Sequence, residues 1–498
     1  MPINDVRRNF GLILWLSVVL VVVSALVVGV VVHWLFPQIP LPLGIALGAV
    51  LGPTDAVAAT AIGKRLGLPP RLLTVLEGES LFNDATALVG LRTALAAGAV
   101  GAFSIGGALG DFVWAVLVGV GVGFGVGWLS VLVRGRLGDP VLTSTISLAV
   151  PFFAYFPAES LHASGVLAVV VAGLVAGSRA TRQLTAHDRQ SESTNWATVN
   201  FVLESAVFLA MGLELTALLD QARSETGAGV LVAMVAVCVA LLVVLRTVWV
   251  AGWLLARRRR GRNRRDRVEE WLGAAGERIE SFEAVTETQE MRLDRLRRPL
   301  APTTAAVAFS EREPLGRRAG LGLARAGMRG VVTVAAAQTI PAGTEHRATL
   351  VLTAFAVAVV SLVGFGGTLP ALIRRLHFVP RAKARTAELS QLMHALGERA
   401  IDIVGPLSEV TIDGEPLDPA LVERITQRFM PLLTGSSVTL KHRRPEAWER
   451  SLIVQRRYLE AMSEALWEEQ SIGAYSSATY AAAQGLLDRE ERRINPVR

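Results

Sequence analysis

Acidic and polar side chains interrupt an apolar segment that reads LEGESLFNDATALV over residues 76–89. On an α-helix, where each residue turns by about 100°, Glu77, Ser80 and Asp84 share one face. Glu79 and Asn83 fall on nearly the opposite face. Carboxylate and hydroxyl oxygens are ligands for hard cations, and carboxylates also bind protons. The chemistry open to this segment is therefore the binding of a cation or a proton.

The composition of the whole chain indicates what surrounds that segment. The chain has 498 residues, a mean hydropathy of +0.43, 51% hydrophobic residues and 19% charged residues, which is too apolar for a typical soluble protein. Its apolar blocks of about 20 residues are long enough to cross a bilayer as helices. They predict an all-α polytopic membrane protein with about ten transmembrane helices, at residues 10–35, 43–63, 73–98, 112–133, 141–157, 160–178, 196–219, 228–256, 319–341 and 348–373.

The loops between these blocks alternate in charge. One set carries Arg and Lys residues, such as Lys64, Arg65 and Arg71, whereas the opposite set begins with the uncharged sequence PQIPLP. Because cytoplasmic loops are enriched in Lys and Arg, the pattern predicts that both termini are cytoplasmic in a cell inner (plasma) membrane. The first apolar block has no cleavage-site pattern, so it is interpreted as a span and not as a removable signal peptide.

Placing the charged side chains of residues 76–89 in a membrane costs free energy. Even the lower, insertion-based estimates put an Asp at the centre of a span at about 2.5 to 3.5 kcal/mol. Neither polar face can therefore look into lipid. One face is expected to line a cavity, and the other is expected to meet partners inside the protein.

The span at 43–63, LGIALGAVLGPTDAVAATAIG, carries a second polar interruption. Pro53 removes a backbone donor and predicts a break near the middle of the helix, where Thr54 and Asp55 supply oxygen atoms. Exposed carbonyls, a hydroxyl and a carboxylate at mid-membrane are suitable ligands for a dehydrated cation. The alternative is a simple proline kink capped by Thr54.

A third polar interruption is Arg329, which lies between two glycines in GMRGVVTVAAAQTIP. A buried arginine keeps its charge and favours a carboxylate partner, for which Glu77 and Glu79 are the candidates. The alternative is an arginine that extends to the membrane surface from a helix end. Further intramembrane charges, Arg92 and Arg246, are interpreted as structural partners of carboxylates.

Hydropathy divides the chain into four regions. Residues 1–256 form a block of eight spans, 257–318 a charged helical cytoplasmic insertion, 319–376 two further spans, and 377–498 a helical cytoplasmic C-terminal domain. The insertion begins RRRRGRNRRDR directly after a span, which favours an anchor on anionic lipid over a nucleic-acid site. The single cysteine, the spacing of the histidines and the lack of GxxxxGK[ST] give no sign of a bound cofactor or a nucleotide.

The motifs together resemble a known family. GPTDAVAATAIGKRLGLPPRLLTVLEGESLFNDATALV at 52–89 is similar to the signature of the monovalent cation:proton antiporter-1 family, which includes the bacterial NhaP-type sodium/proton exchangers. The resemblance continues through ASGVLAVVVAGLVAG, FLAMGLEL, AGMRGVVTVAAAQTIP and GTLPALIRRL. It implies a fold of two inverted repeats, a homodimer, and the exchange of Na⁺, or K⁺ or Li⁺, for H⁺.

The resemblance also implies roles for individual residues. Asp84 would bind the transported Na⁺ and the proton in turn, with further oxygens from Ser80 and Thr54 and support from Asp55. Asn83 implies electroneutral exchange. Glu77 and Arg329 would form a buried structural ion pair, and Glu79 would stabilise the crossing of the broken helix.

Two features depart from the family pattern. Its members usually have 12 or 13 spans, so the first two or three helices are expected to be missing before residue 1. The glutamine common near GFGGTLP is also absent.

If only the loaded, neutralised site changes its access between the two sides of the membrane, competition between a proton and a cation at the Asp84 carboxylate couples their two flows without ATP, so the residues themselves also favour exchange. The alternative to an antiporter is a truncated, non-transporting or regulatory membrane protein of the same family. A further alternative is an intramembrane aspartyl enzyme that uses Asp55 and Asp84, although the Gly-x-Gly-Asp pattern of one such class is absent.

Overall fold

Long helices make up most of the computed structural model. It describes residues 3–100, 105–137, 139–280, 316–376, 382–412, 415–423, 425–426 and 446–494. The helices up to residue 280 are α1 Ile3–Leu14, α2 Leu20–Leu35, α3 Leu41–Leu51, α4 Ala56–Leu66, α5 Pro70–Val100, α6 Ile105–Leu137, α7 Pro140–Ser160, α8 Gly165–Gln183, α9 Ala186–Glu225 and α10 Ala228–Glu280. The later helices are α11 Arg317–Arg325, α12 Val331–Gln338, α13 Arg347–Arg375, α14 Ala382–Val404, α15 Glu446–Ile472 and α16 Ser477–Ile494. A π-helical turn, Trp15–Val19, joins α1 to α2.

Six of the described helices are long and apolar enough to cross a membrane. They are Asn9–Leu35, Val113–Leu137, Pro140–Ser160, Ala186–Glu225, Ala228–Ala256 and Arg347–Arg375. The prediction of an all-α polytopic membrane protein is therefore confirmed. The count of ten stays a prediction, because the remaining spans are interrupted, short or, in α5, rich in charged side chains.

Two helical segments are interrupted. The predicted break near Pro53 is confirmed, since α3 ends at Leu51 and α4 begins at Ala56. The block at 319–341, predicted as one continuous span, is also interrupted, because α11 ends at Arg325 and α12 begins at Val331. The two interruptions meet, since Asp55 forms an isolated antiparallel bridge with Met328.

A main apolar core holds this crossing from one side. Buried side chains of α2, α3, α5, α9, α10, α12 and α13 form one contiguous cluster, which includes Leu47, Leu91, Met211, Leu242 and Val351. A second cluster, from α1, α4, α5, α10, α11 and α13, lies around Leu72 and Met328. The interrupted segments are therefore enclosed by continuous helices, as irregular backbone inside a membrane requires.

The C-terminal region has an apolar core of its own. Side chains of α14, α15 and α16 pack around Leu396, Tyr458 and Leu466. Thr411–Ile412 and Glu415–Pro416 form a two-stranded antiparallel hairpin, so the region that was predicted as helical also contains a small β element. Arg189, near the start of α9, forms ion pairs with Asp488 and Glu491 of α16, which link this region to the membrane helices.

Glycines allow α6 and α8 to approach closely. Gly119, Gly123 and Gly127 recur every four residues on the face of α6 that meets α8, and a methyl group on Gly127 would lie 2.7 Å from the carbonyl oxygen of Ala172. On the other face, Gly121 and Gly125 have open space beside them. Small residues at this spacing let helix backbones pack together in a membrane.

We expect Gly123→Ala to lower the unfolding temperature of the purified protein, because the added methyl group would overlap the carbonyl oxygen of Ala168. Overpacking of this kind typically costs about 1–3 kcal/mol. The matched control is Gly125→Ala on the same helix, which should be neutral or slightly stabilising because alanine favours helix over glycine. Equal unfolding temperatures for the two variants, measured in one detergent, would contradict the described packing of α6 on α8.

Candidate functional site

The crossing of the two interrupted segments is built on backbone contacts at Asp55. The Asp55 N–H donates to the carbonyl oxygen of Met328 at 2.7 Å. The Asp55 carboxylate caps α4 by accepting from the N–H of Val57 at 2.7 Å. The carboxylate also packs against Gly330, which caps α12, since a Cβ atom at that position would overlap it. Asp55 therefore lies at the N-terminal ends of both α4 and α12.

Arg329 lies at the C-terminal ends of α3 and α11, the helices that precede the two interruptions. Its Nε donates to the carbonyl oxygen of Leu51, the last residue of α3, at 3.1 Å. Its Nη1 donates to the carbonyl oxygen of Gly327, just beyond α11, at 2.8 Å. A cation at helix C-terminal ends is stabilised by the helix dipole and by carbonyls that have no other donor. Arg329 is only 3% exposed, and backbone oxygens satisfy it at the point where two helices end.

A buried ion pair joins three elements beside the crossing. Arg246 of α10 forms two hydrogen bonds with the carboxylate of Glu79 on α5, one from Nη1 to Oε1 and one from Nη2 to Oε2 at 2.9 Å. Arg246 Nε also donates to the carbonyl oxygen of Leu323 in α11 at 3.2 Å. Glu79 is 1% exposed and Arg246 is 3% exposed. A charge pair so fully buried needs this bidentate geometry.

The structure corrects the ion pair predicted between Glu77 and Arg329. Glu77 Oε1 lies 2.9 Å from Nζ of Lys64, in the last turn of α4, where both side chains are partly exposed. Arg329 is held by the carbonyl oxygens described above and has no carboxylate in hydrogen-bond contact among the described residues. Glu77 of α5 therefore pairs with the C-terminal end of α4, whereas Glu79 forms the buried ion pair with Arg246.

Polar side chains of α5 satisfy the break at Pro53. The Thr54 hydroxyl donates to Glu79 Oε1 at 2.9 Å, and the Asn83 amide donates to both the carbonyl and the hydroxyl oxygen of Thr54 at 3.2 Å. The Ser80 hydroxyl accepts from the N–H of Ala56 at 3.4 Å. Both polar faces of α5 thus reach the same break, one through Glu79 and Asn83 and the other through Ser80.

Asp84 differs from the other carboxylates of α5. It is half-buried, one turn along α5 from Ser80, and close enough to Asp55 for their charges to interact. It makes no hydrogen bond or ion pair with any residue that the structure describes, whereas Glu77 and Glu79 each have a basic partner. Nearby, the buried Oδ1 atom of Asn83 accepts no hydrogen bond from the described residues.

The oxygen atoms that the sequence predicts to bind a cation lie close to the break at Pro53. No group of three or more His, Cys, Asp or Glu side chains placed to hold a metal occurs in the described part of the chain. The predicted ion-binding residues Thr54, Asp55, Ser80, Asn83 and Asp84 all lie at or next to the break, where hydroxyl, amide and carboxylate oxygens are available. Their role in ion binding stays a prediction.

Three features of the structure were not predicted from the sequence. Arg246 was expected to pair structurally, but its partner Glu79 lies 167 residues away and no local pattern identifies it. The break at 326–330 was missed, although an arginine between two glycines in GMRG is a local signal for one. Arg92, expected to offset a carboxylate of its own span, instead binds both carboxylate oxygens of Glu159 at 2.7 Å.

Comparison with known proteins finds a family model that matches this chain and several similar individual proteins. A family model described as "Sodium/hydrogen exchanger, transmembrane" matches residues 1–279. A sodium, potassium, lithium and rubidium/H(+) antiporter of Bacillus pumilus is 34% identical over 265 residues, which cover 51% of this chain and 39% of that protein. An uncharacterized Na(+)/H(+) exchanger of Mycobacterium bovis is 30% identical over 437 residues, which cover 86% of this chain and 70% of that protein.

The fraction of each similar protein that aligns with this chain differs from one protein to the next. An uncharacterized Na(+)/H(+) exchanger of Escherichia coli is 37% identical over 222 residues, which cover 43% of this chain and 40% of that protein. The chain therefore spans about two fifths of the length of this relative and of the Bacillus pumilus relative. Among solved structures, the sodium proton antiporter of Methanocaldococcus jannaschii aligns with 76% of this chain and 82% of its own, at 16% identity and a TM-score of 0.44.

The two glutamates of α5 provide a direct test of the described pairing. We expect Glu79→Gln to destabilise the protein by about 3–5 kcal/mol, because it leaves the buried Arg246 without its counter-charge. Glu77→Gln should change the stability by about 0–1 kcal/mol, because its pair with Lys64 is partly exposed. The measurement is the thermal unfolding of both purified variants beside the unmodified protein. A larger loss in Glu77→Gln than in Glu79→Gln would contradict the assignment.

Proposed function

This chain belongs to the sodium/hydrogen exchanger family, and from that membership and the geometry of the site we propose that it is a secondary antiporter. The exchange is of Na⁺ for H⁺, with K⁺ and Li⁺ as further candidate cations, and one cation moves for one proton. The protein acts as a homodimer in the plasma membrane with both termini in the cytoplasm. The loop charges support this orientation.

One observation carries the proposal, and it is the lack of a partner for Asp84. The carboxylate of Asp84 is half-buried and makes no hydrogen bond or ion pair with the described residues. An ionised carboxylate in such surroundings is unstable without a counter-charge. A proton or a bound cation must therefore neutralise it, and the two compete for the same oxygen atoms.

Neighbouring groups supply the remaining ligands of the cation. Thr54, in the break, and Ser80, on α5 beside it, offer hydroxyl oxygens, and Asp55 provides a second carboxylate within electrostatic range. The buried Oδ1 atom of Asn83, which accepts no hydrogen bond from the described residues, offers one more oxygen. A dehydrated monovalent cation needs several such neutral oxygens around one negative charge.

Coupling follows when only the neutralised site changes its access from one side of the membrane to the other. A loaded Asp84, with a proton or a cation, has no net charge to carry across the apolar core, whereas an empty one has. Each change of access then carries either a proton or a cation across the membrane. The family resemblance associates an asparagine at position 83, next to Asp84, with one-for-one exchange, and we propose on that basis that the exchange moves no net charge.

We expect Asp84→Asn to abolish cation-dependent proton movement, because an amide can neither release a proton nor balance the charge of a cation. The assay records the dequenching of a pH-sensitive dye in everted membrane vesicles on addition of Na⁺, K⁺ or Li⁺. In the unmodified protein the apparent affinity for the cation should fall as the pH falls, since protons compete for Asp84.

The control for this variant is Asp220→Asn, which makes the same chemical change on the exposed surface of α9. It should retain full activity. Full activity in Asp84→Asn, with protein levels in the membrane equal to the control, would refute the proposed site. A folded, inserted chain without any cation-dependent proton movement would refute the proposed activity.

Electroneutral exchange makes a separate prediction. In vesicles of the unmodified protein without a pH gradient, a diffusion potential set by a gradient of a permeant lipophilic ion, so that no candidate cation forms the gradient, should drive no Na⁺ uptake. A pH gradient of matching size, with the potential held at zero, should drive it. Uptake of Na⁺ driven by the potential alone would show that the exchange moves net charge, and it would contradict one-for-one exchange.

A further inference from the structure

The three helices α6, α7 and α8 pack around an apolar core of their own. It consists of buried side chains of α7 and α8, among them Val150, Ala154 and Ala168, with partly buried side chains of α6 packed against them. Among the described residues, the two apolar clusters that surround the crossing contain no buried side chain of α6, α7 or α8. We call these three helices the α6–α8 unit. Because its core is separate, the unit can shift against the helices of the crossing without opening either core.

An arginine of α5, the helix that carries Asp84, connects α5 to the α6–α8 unit. Arg92 Nη1 donates to both carboxylate oxygens of Glu159 at 2.7 Å, and Arg92 Nη2 donates to the Tyr155 hydroxyl at 3.4 Å. Tyr155 and Glu159 lie one turn apart on α7. One guanidinium group of α5 therefore binds two side chains of α7.

The carboxylate of Glu159 is fixed at the connection between α7 and α8. Glu159 is the last residue but one of α7, and its Oε1 accepts from the N–H of Gly165, the first residue of α8, at 3.0 Å. A Cβ atom at Gly165 would lie 2.6 Å from the Tyr155 ring and 2.9 Å from the Glu159 carboxylate, so this position requires glycine. Arg92 therefore binds a carboxylate that the α6–α8 unit holds in place.

The Arg92–Glu159 pair lies further out than Asp84 in the proposed orientation. Arg92 follows Asp84 by eight residues, which is about 12 Å along α5. Arg134 and Arg136, in the last turn of α6, indicate that the connection between α6 and α7 is cytoplasmic. The connection between α7 and α8, where Glu159 lies, is at the opposite end of α7. The pair is therefore on the outer side of Asp84.

The pair can break without disrupting either apolar core. The Arg92 and Glu159 side chains are 54% and 27% exposed, so their separation does not enclose an unpaired charge, and exposed pairs contribute little to stability. The pair of Glu79 with Arg246 is different, since its side chains are 2% and 4% exposed and separating them would leave two buried charges unpaired. A permanent ion pair thus holds the crossing, whereas a breakable one holds α5 to the α6–α8 unit.

We propose that the Arg92–Glu159 pair is a latch that closes the outer side of the site and separates each time Asp84 changes access. The inference rests on the proposed exchange, in which the site opens to the two sides of the membrane in turn. While the pair is formed, α5 is held against the α6–α8 unit on the outer side of Asp84. Outward access requires α5 and the unit to move apart there, and the pair spans the boundary between them.

Reversible cross-linking of the two positions tests whether they must separate. The variant Arg92→Cys/Glu159→Cys, in a Cys238→Ala background, is treated in everted vesicles with an uncharged bis-methanethiosulfonate reagent. Cation-dependent proton movement is recorded before and after treatment. Cross-linking should abolish the exchange, and dithiothreitol should restore it. The thermal unfolding midpoint of the cross-linked protein should not fall, because the link replaces an existing contact.

The matched control is Lys64→Cys/Glu77→Cys in the same background. Lys64 and Glu77 form an ion pair of similar exposure, 61% and 34%, but this pair joins two helices, α4 and α5, that share one apolar cluster. Cross-linking the control pair should leave the exchange unchanged, since α4 and α5 stay together throughout.

Three results would count against the latch. Full exchange in the cross-linked Arg92→Cys/Glu159→Cys variant, with the link verified by mass spectrometry, overturns it because the pair is then a permanent contact. An equal loss in the cross-linked control overturns it as well, since the loss is then not specific to this boundary. Absence of exchange in the unmodified protein refutes the proposed antiport, and the latch with it. If the double variant is inactive before treatment, Arg92→Cys/Tyr155→Cys, which keeps Glu159, provides the same test.

Discussion

A helix that is interrupted inside a bilayer leaves backbone donors and acceptors with no water to bind, and the rest of this structure is arranged around that constraint. Two such interruptions meet at the bridge between Asp55 and Met328. Donors at the break before α4 are satisfied by Asp55 itself and by Ser80, and acceptors at the end of α3 by Arg329. Asn83 of α5 donates to the carbonyl oxygen of Thr54, and Arg246 of α10 donates to the carbonyl oxygen of Leu323.

The Glu79 and Arg246 pair fixes the position of α5 relative to both interruptions. Glu79 accepts a hydrogen bond from Thr54 at the first break, and Arg246 donates to Leu323, just before the second. The pair is buried, so its stability depends on keeping every one of these contacts. This geometry holds Asn83 and Asp84 at the break, because they follow one turn later on the same rigid helix.

The sequence predicts the elements of this arrangement better than their pairing. Hydropathy and Pro53 predict a helical membrane protein with a broken helix, because both depend on local composition. The polar face of α5 is likewise visible from residue spacing alone. The second break was missed because glycine is also tolerated inside apolar helices, so the local signal in GMRG does not by itself distinguish a break from a continuous span.

The pairing of charges depends on distances that no local pattern contains. Glu77 and Glu79 are two residues apart and both precede Asp84. From their positions in the sequence, either one could pair with a buried arginine. The structure separates them because α5 packs against α4 at Glu77 and against α10 at Glu79. The prediction for Arg329 failed for a different reason, since it assumed that a buried guanidinium requires a carboxylate. Backbone carbonyls at two helix ends accept its hydrogen bonds instead.

Helix dipoles explain why those carbonyls are sufficient. Each helix end carries the equivalent of about half an elementary charge, so the C-terminal ends of α3 and α11 together offer about −1 to Arg329. The N-terminal ends of α4 and α12 offer about +1 to Asp55 by the same reasoning. With Glu79 balanced by Arg246, each of these buried charges has its opposite supplied by the fold. Asp84 is the exception among the carboxylates of this group, because no described residue supplies an opposite charge for it, and the proposed exchange depends on that difference.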